Sequence, residues 1–273
     1  MRIGVVAKPG DKSIAKILFE ILKTANENGI EVLFDSIAAS YIGSTNIFDL
    51  TRETPDVVIV VGGDGTFLRT VQLLGDRQPA IMTIRLGRRG FLLDVNPYEV
   101  SARIRDLLDG KYMIVRYMRL QVRIEGKNVK LPYALNEAAF LQPDFKVVRL
   151  RVFKDNEPLF SVDGDGIIVA TPIGSTAYSL SAGGPIVDPE VQSIIITPLN
   201  PLQLYLRSIV LSPSSIIQVA IRSDSPHSKL LIDGQYSVDV KPGEIVTISR
   251  AQTPVRVIRF QRLPIYERVF ERR

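Results

Sequence analysis

The sequence contains no cysteine and only one histidine, His227. Without cysteine the chain can form no disulfide, no thiolate nucleophile and no cysteine metal site. His227 lies in the polar segment 223–228, whose Ser, Asp and Pro residues are typical of an exposed loop. A histidine-based catalytic triad and a multi-histidine zinc site are therefore not expected, and the sequence predicts no metal-ligating residue set.

Long apolar runs are also missing. The longest, such as Val57–Val61 and Ile167–Ala170, have the length of a strand, whereas a bilayer span needs about 20 apolar residues. The N-terminus enters a strand pattern at once and shows no cleavable signal, which predicts a cytoplasmic protein without a membrane partner.

The net charge of +5 suits an anionic ligand such as a nucleotide. Dense basic runs interleaved with aromatic residues are absent, so no nucleic-acid partner is expected.

The N-terminal part of the chain alternates between strand and helix signals. A helix is predicted where apolar residues recur at helical spacing from Ile14 to Leu22, and another from Phe67 to Leu74. Strands are predicted at Ile3–Ala7, Ile30–Phe34, Val57–Val61 and Ala80–Leu86. Because Val57–Val61 is apolar on both faces, it belongs in a parallel sheet covered by helices. This pattern predicts an open, doubly wound α/β domain.

The pattern changes after a helix predicted near Tyr98–Leu108. Apolar and polar residues alternate from Met118 to Glu125 and from Arg149 to Val152, which is the period of a half-buried strand. More short strands are predicted around 133–141, 167–171, 193–197, 207–211, 215–222, 229–233 and 245–250. Many short strands with few helices indicate an antiparallel sandwich or a barrel-like second domain. The cleft between two such domains is the default place for a ligand.

The strongest local motif is Gly62-Gly63-Asp64-Gly65-Thr66, which stands between a buried strand and a helix. Glycines let the backbone approach a ligand closely, and a helix N-terminus favours a phosphate. A carboxylate beside phosphates is costly unless it binds a metal ion or takes a proton from a hydroxyl. Asp64 is therefore predicted to be catalytic, with a turn or helix-capping role as the alternative. No Walker A motif and no complete G-x-G-x-x-G occurs.

Three further segments have the composition of a nucleotide pocket. The stretch 163–185 places a strand between an acidic turn and a loop rich in glycine and hydroxyl groups, and its Tyr178 offers a stacking face. Asn136-Glu137 could contact a base edge or a ribose, although the pair alone is no motif. Asp233-Gly234-Gln235 is most simply a hairpin turn.

Together these segments resemble the NAD kinase family. The resemblance rests on 62–69 (GGDGTFLR), 90–92 (GFL), Asn136-Glu137, the 171–185 loop and 233–235 (DGQ), whose order and spacing span almost the whole chain. The GGDGT element is shared with diacylglycerol, sphingosine and related kinases, whereas the loop combined with Asn-Glu is far more specific. The resemblance implies a Rossmann-like domain over 1–110, a β-sandwich domain over 111–253, and a final segment, 254–273, that returns to the first domain.

The resemblance also implies an activity and a set of site residues. The activity is transfer of a phosphoryl group from ATP, or inorganic polyphosphate, to the adenosine 2′-hydroxyl of NAD, with Mg²⁺, by a homodimer or homotetramer. Asp64 would act as general base or metal ligand, and Gly62, Gly63 and Thr66 would bind the phosphate donor. The residues that would bind NAD are Gly65, Arg69, Phe91, Asn136, Glu137, Asp165, Thr176, Ala177, Tyr178, Ser179, Leu180, Ser181 and Gln235. Asn136 and Glu137 would contact the adenosine, and Asp165 would face the nicotinamide half.

The chain departs from the family pattern at a few positions. Asp163 stands where a basic residue is frequent, Ile173 replaces a small hydroxyl residue, and Asn200 and Leu202 replace Ala and His. Two other functions remain open at this stage. One is a lipid or other small-molecule kinase that shares only the GGDGT loop. The other is a non-catalytic dinucleotide-binding regulator, which would give Asp64 no role.

Overall fold

The computed structural model describes residues 1–87, 92–144, 146–262 and 269–270. The chain divides into two compact units, the first formed by Met1–Arg116 together with Val255–Arg273 and the second by Tyr117–Pro254. None of the helices in the described ranges is long and apolar enough to cross a membrane.

The first unit is a parallel α/β sheet. Its helices are α1 (Ile14–Glu27), α2 (Ser36–Ile42), α3 (Asp64–Leu74) and α4 (Val100–Leu108), and its strands are β1 (Arg2–Ala7), β2 (Glu31–Phe34), β3 (Val57–Gly62), β4 (Ala80–Arg85), β5 (Met113–Tyr117) and β17 (Val255–Arg259). The strand order is β2-β1-β3-β4-β17-β5. The pairs β1–β2, β1–β3, β3–β4 and β4–β17 are all parallel.

The sequence pattern explains why this sheet is covered on both faces. All six residues of β3 are buried, as the uninterrupted apolar run Val57–Val61 predicts. One face packs against α1, α2 and α4, whose buried side chains join the same apolar cluster as Val57, Ile59 and Val61. The helix α3 buries Phe67, Val71 and Leu74. The predicted doubly wound α/β class is confirmed.

The second unit is an antiparallel β-sandwich, so the barrel-like alternative is wrong. One sheet has the order β12-β11-β10-β7-β14-β15, with β7 (Glu137–Leu141), β10 (Gly166–Ala170), β11 (Ile194–Leu199), β12 (Ile209–Leu211), β14 (Ser228–Ile232) and β15 (Tyr236–Val240). The other has the order β6-β16-β13-β8-β9, with β6 (Leu120–Ile124), β8 (Val148–Lys154), β9 (Glu157–Gly164), β13 (Ile217–Ile221) and β16 (Ile245–Arg250). One short helix, α5 (Tyr178–Ser181), lies between β10 and β11.

The two sheets share one core. Inward-facing residues such as Val122, Phe140, Leu150 and Leu230 come from both sheets and form a single buried cluster. The sandwich sheet that contains β7, β10 and β11 also has a smaller apolar cluster on its outer face. There Ala182 and Val187 pack against buried residues of these three strands. The glycine-rich loop after β10 is therefore packed onto the sheet instead of extending freely.

Candidate active site

The GGDGT motif forms the turn between β3 and α3. Gly63 is the N-cap of α3, and Asp64 is its first residue. A Cβ on Gly62 would lie 2.5 Å from Thr66 Oγ1, so this position accepts only glycine. A Cβ on Gly63 or Gly65 would meet nothing within 4 Å, which leaves this side of the turn accessible. Because β1 lies between β2 and β3, the turn is at a topological switch point, where open α/β sheets bind ligands.

Asp64 is held in place by a backbone group. Its half-buried carboxylate accepts a hydrogen bond from the Leu92 N–H, with Oδ1 2.9 Å from the nitrogen. The position in the first turn of α3 also favours a negative charge, because the helix dipole presents its positive end there. The carboxylate is thus oriented at the end of the glycine turn, which is the arrangement that a catalytic role requires.

The remaining residues predicted in this unit have different surroundings. Thr66 is half-buried, and its hydroxyl lies against Gly62. Arg69 is exposed on α3, and its charge lowers the pKa of Asp35, whose net pKa is nevertheless raised by burial. Phe91 lies outside the described residues, so its predicted contact with NAD stays a prediction.

In the second unit, Asn136 and Glu137 come directly before and at the start of β7. The sequence pattern predicts a strand for both residues, but Asn136 lies in a bend held by Asp233. The Asp233 carboxylate accepts hydrogen bonds from the backbone nitrogens of Leu135, Asn136 and Glu137, at 2.8, 2.7 and 3.1 Å. Sequence reasoning assigned Asp233 only to a hairpin turn. That turn is confirmed, since it joins β14 to β15.

Glu137 is buried with an unusual charge environment. Burial and, to a smaller extent, the nearby negative Asp233 together raise the pKa of its carboxyl to about 8, against a lowering by the hydrogen bond from the Tyr178 N–H. Its Oε2 is buried and has no hydrogen-bond partner among the described residues. Buried polar atoms are nearly always paired, so this oxygen is a candidate to form a hydrogen bond with a ligand or with water. Glu137 is predominantly neutral at neutral pH and can donate a proton in a hydrogen bond.

The loop after β10 comes very close to Asn136. A Cβ on Gly174 would lie 2.0 Å from the Asn136 carbonyl oxygen, so only glycine fits. The same oxygen accepts a bond from the Thr171 N–H at 2.8 Å. Together with the Tyr178 N–H at Glu137, these contacts bring the Asn-Glu pair, the glycine-rich loop and the 233–235 turn into one cluster within the second unit.

The predicted NAD-binding residues of this loop divide by exposure. Tyr178 and Ser181 are exposed, and Ala177 and Leu180 are half-buried. Ser179 is fully buried, with its hydroxyl 2.8 Å from the Thr197 hydroxyl, and buried Thr176 donates to the Ile173 carbonyl. The hydroxyls of Ser179 and Thr176 thus have bonds that maintain the loop, whereas Tyr178 and Ser181 present accessible groups.

Two further predicted residues, Asp165 and Gln235, are exposed. Asp165 is exposed and accepts a bond from the Asn200 amide at 2.7 Å, so one of the residues that departs from the family pattern contacts it directly. Gln235 is exposed at the last position of the β14–β15 turn. Both residues are exposed at the surface of the second unit.

The described residues contain no group of three or more His, Cys, Asp or Glu side chains that could hold a metal ion. Mg²⁺ commonly binds through one or two carboxylates and the phosphates of a nucleotide. A single carboxylate beside a phosphate-binding turn fits that mode, whereas an all-protein magnesium cage would not fit these residues.

An oriented aspartate at a glycine turn, in a parallel sheet, defines a phosphotransferase class, and comparison with known proteins identifies the family. Residues 3–112 match the model of the ATP-NAD kinase N-terminal domain, and residues 135–260 match that of the ATP-NAD kinase C-terminal domain. The chain belongs to the NAD kinase family.

Individual relatives agree along nearly the whole chain. An NAD kinase of Aeropyrum pernix is 41% identical over 273 residues, covering 99% of this chain and 97% of the relative. An NADH kinase from yeast, solved in complex with NADH, has a TM-score of 0.88 at 25% identity and covers 100% of this chain and 86% of its own. An NAD kinase from Archaeoglobus fulgidus, solved with ATP, has a TM-score of 0.78 at 28% identity, covering 100% and 97%.

Proposed function

We propose that this chain acts as an NAD kinase, which transfers the γ-phosphoryl group of ATP to the adenosine 2′-hydroxyl of NAD and releases ADP and NADP. The family membership supports this activity, and the comparisons do not support a lipid kinase or a non-catalytic regulator. The Archaeoglobus fulgidus relative was solved with ATP, which supports ATP as the donor. Inorganic polyphosphate is the alternative donor.

The observation that carries the mechanism is the Asp64 carboxylate, which is fixed by the Leu92 N–H at the end of the glycine turn. In the proposed step a bond forms between the 2′-oxygen of NAD and the γ-phosphorus, while the bond from that phosphorus to the bridging oxygen of ADP breaks. The proton of the 2′-hydroxyl passes to Asp64. General-base assistance of this kind contributes about 10²–10⁴-fold to a rate.

In this proposal the glycine turn between β3 and α3, in the first unit, supplies the phosphate contacts. Gly62, Gly63 and Thr66 would bind the donor phosphates, since backbone N–H groups at a helix N-terminus favour anions. Gly65 and Arg69 would lie along the path of NAD. Mg²⁺, when bound, would neutralise phosphate charge, and the alternative role of Asp64 is to hold this ion together with the nucleotide instead of acting as the base.

The cluster formed in the second unit by Asn136-Glu137, the glycine-rich loop and the 233–235 turn would recognise the dinucleotide. Asn136 would contact the adenosine. The neutral Glu137 carboxyl would donate a hydrogen bond to an oxygen of the ligand, and it would add no negative charge near the anionic NAD. Tyr178, Ser181 and Gln235 are exposed around this cluster. Ala177 and Leu180 would supply apolar contact, and Asp165 would face the nicotinamide half. The roles of Thr176, Ser179 and Phe91 in binding NAD stay predictions.

A homodimer or homotetramer is part of the proposal. The loop after β11 exposes Leu202, Leu204 and Tyr205, by 65, 85 and 79%. Clustered apolar side chains of this kind are typical of a protein–protein interface. The cytoplasmic location predicted from the sequence stays a prediction.

A coupled assay tests the activity. Purified protein is incubated with NAD, Mg²⁺ and either ATP or polyphosphate, and NADP is followed through an NADP-specific dehydrogenase. We expect NADP with ATP. If folded protein forms no NADP with either donor, the proposed function is wrong. A lipid kinase would instead phosphorylate diacylglycerol or sphingosine under the same conditions.

A further inference from the structure

A buried ion pair lies beside the segment that contacts Asp64. Arg259, at the end of β17, donates from Nη1 to Asp94 Oδ1 at 2.9 Å, and only 1% of the Arg259 side chain and 4% of the Asp94 side chain are exposed. The Thr83 hydroxyl, from β4, donates to the same oxygen at 3.0 Å. Among the described residues it is the one ion pair in which both side chains are buried.

Stability alone gives a weak reason for this pair. Removing two charges from water costs several kcal/mol each, and replacing a buried ion pair by apolar residues of similar volume is often neutral or stabilising. What such a pair does provide is a fixed position for the backbone that carries it. Here that backbone is the segment 92–96, which follows the predicted NAD-contacting residue Phe91 and runs beside β4.

The pair is connected to Asp64 through very few bonds. Asp94 comes two residues after Leu92, whose N–H donates to the Asp64 carboxylate. The next residue, Val95, donates to the Thr83 carbonyl at 3.2 Å and accepts from the Arg85 N–H at 2.8 Å. Leu92, Leu93 and Val95 are buried as well. Fixing Asp94 therefore fixes the direction of the Leu92 N–H.

We infer that Asp94, Arg259 and Thr83 are positioning residues for phosphoryl transfer, which orient the Asp64 carboxylate through the Leu92 N–H. The inference rests on the proposed function, because it assigns Asp64 to the reaction. Its chemical consequence is specific. Loosening the segment lets the carboxylate rotate away from the 2′-hydroxyl, so kcat falls. The binding of NAD and ATP is largely retained, because Phe91 is the one predicted binding residue that adjoins this segment.

The main test replaces both charges together. In the Asp94→Leu/Arg259→Met variant both charges of the pair are removed together, so neither is left buried without the other and the unit is expected to remain folded. We expect kcat to fall by about 10- to 100-fold, the loss typical of a small misplacement of a catalytic group, with KM for NAD and ATP changed less than about twofold. Lys111→Met is the control, since Lys111 forms an exposed ion pair with Asp109 just after α4, and it should leave kcat unchanged.

The same paired change is then made in an Asp64→Asn background. If the pair acts through Asp64, it should produce no further loss of kcat there, because effects on one pathway are not additive. An equal loss in both backgrounds, or wild-type kcat in the stable paired variant, overturns the inference. If the paired variant fails to fold, Thr83→Val is judged by the same two criteria, since it removes only the hydroxyl bond to Asp94.

Failure of the proposed function gives a different result. In that case Asp64→Asn itself would keep wild-type turnover, or the wild-type protein would form no NADP, and the inference would fail with it. A kcat loss in Asp64→Asn, combined with wild-type kcat in the paired variant, would instead leave the function standing and refute only the positioning role.

Discussion

Replacing Glu137 by Gln should change how stability depends on pH. The folded pKa of Glu137 is about 8 and its ordinary value is 4.5, so the folded protein keeps a proton that the unfolded chain releases between these values. The free energy of unfolding therefore decreases as pH rises through this window, by up to about 1.4 kcal/mol per pH unit from this group. Above the folded pKa the contribution is constant.

Glutamine has nearly the same shape and no charge, so the Glu137→Gln variant lacks this slope. The variant should become more stable than wild type as pH rises, with the difference growing between about pH 5 and pH 8 and then levelling off. Urea unfolding followed at about five pH values measures it. Glu157→Gln, at an exposed position of β9, is the matched control.

Parallel curves of unfolding free energy against pH for wild type and Glu137→Gln would refute the reasoning, because they would mean that Glu137 has the same pKa in the folded and unfolded states.

The proposed role of Glu137 in binding NAD is tested on the same samples. If neutral Glu137 donates to the ligand, the KM of the wild-type enzyme for NAD should rise above about pH 8. In the variant, whose amide donates at every pH, this rise should be absent.

Three further changes follow from the geometry. Asp233→Asn can keep the bonds at Oδ1 but turns an amide N–H₂ toward the Leu135 N–H, so the free energy of unfolding should fall by about 1–3 kcal/mol, measured in urea; unchanged stability would contradict the contacts. Gly65→Ala meets no atom and favours the helix by about 1 kcal/mol, so stability should not fall while KM for NAD rises; an unchanged KM would remove Gly65 from the ligand path. Leu204→Glu should lower the mass measured by light scattering, and an unchanged oligomer would exclude this patch from the interface.

Much of the fold could be predicted because its signals are local. The spacing of Ile14, Ile17, Leu18 and Ile21 predicts α1, and all four are buried. The segment Ile245–Arg250 was predicted with its observed bounds. Strands β9 and β15 were not predicted, since β9 contains Pro158 and β15 has only one buried residue, Val240. Weakly apolar strands like these are stabilised by backbone hydrogen bonds to a neighbouring strand, as in the β8–β9 and β14–β15 pairs.

The residues that hold the site in place could not be predicted, since their partners are remote in the chain. Arg259 and Asp94 are 165 positions apart, and Asp233 is 98 positions from Leu135. The periodicity of apolar residues along the sequence does not reveal such a contact. The catalytic role of Asp64 is predicted from the sequence because a carboxylate between glycines, after a buried strand, is costly beside a phosphate unless it takes part in chemistry. Asp233 and Asp94 have ordinary sequence environments, and their contacts with remote residues form only in the folded units.

The most direct test of the account is Asp64→Asn, assayed for both turnover and NAD binding. The substitution keeps an oxygen that can accept from the Leu92 N–H, so the turn should keep its structure. The account predicts that kcat falls by about 10²–10⁴-fold while the affinity for NAD, measured by calorimetry, stays within about twofold. Wild-type turnover in this variant would contradict the account and return Asp64 to the role of a turn residue.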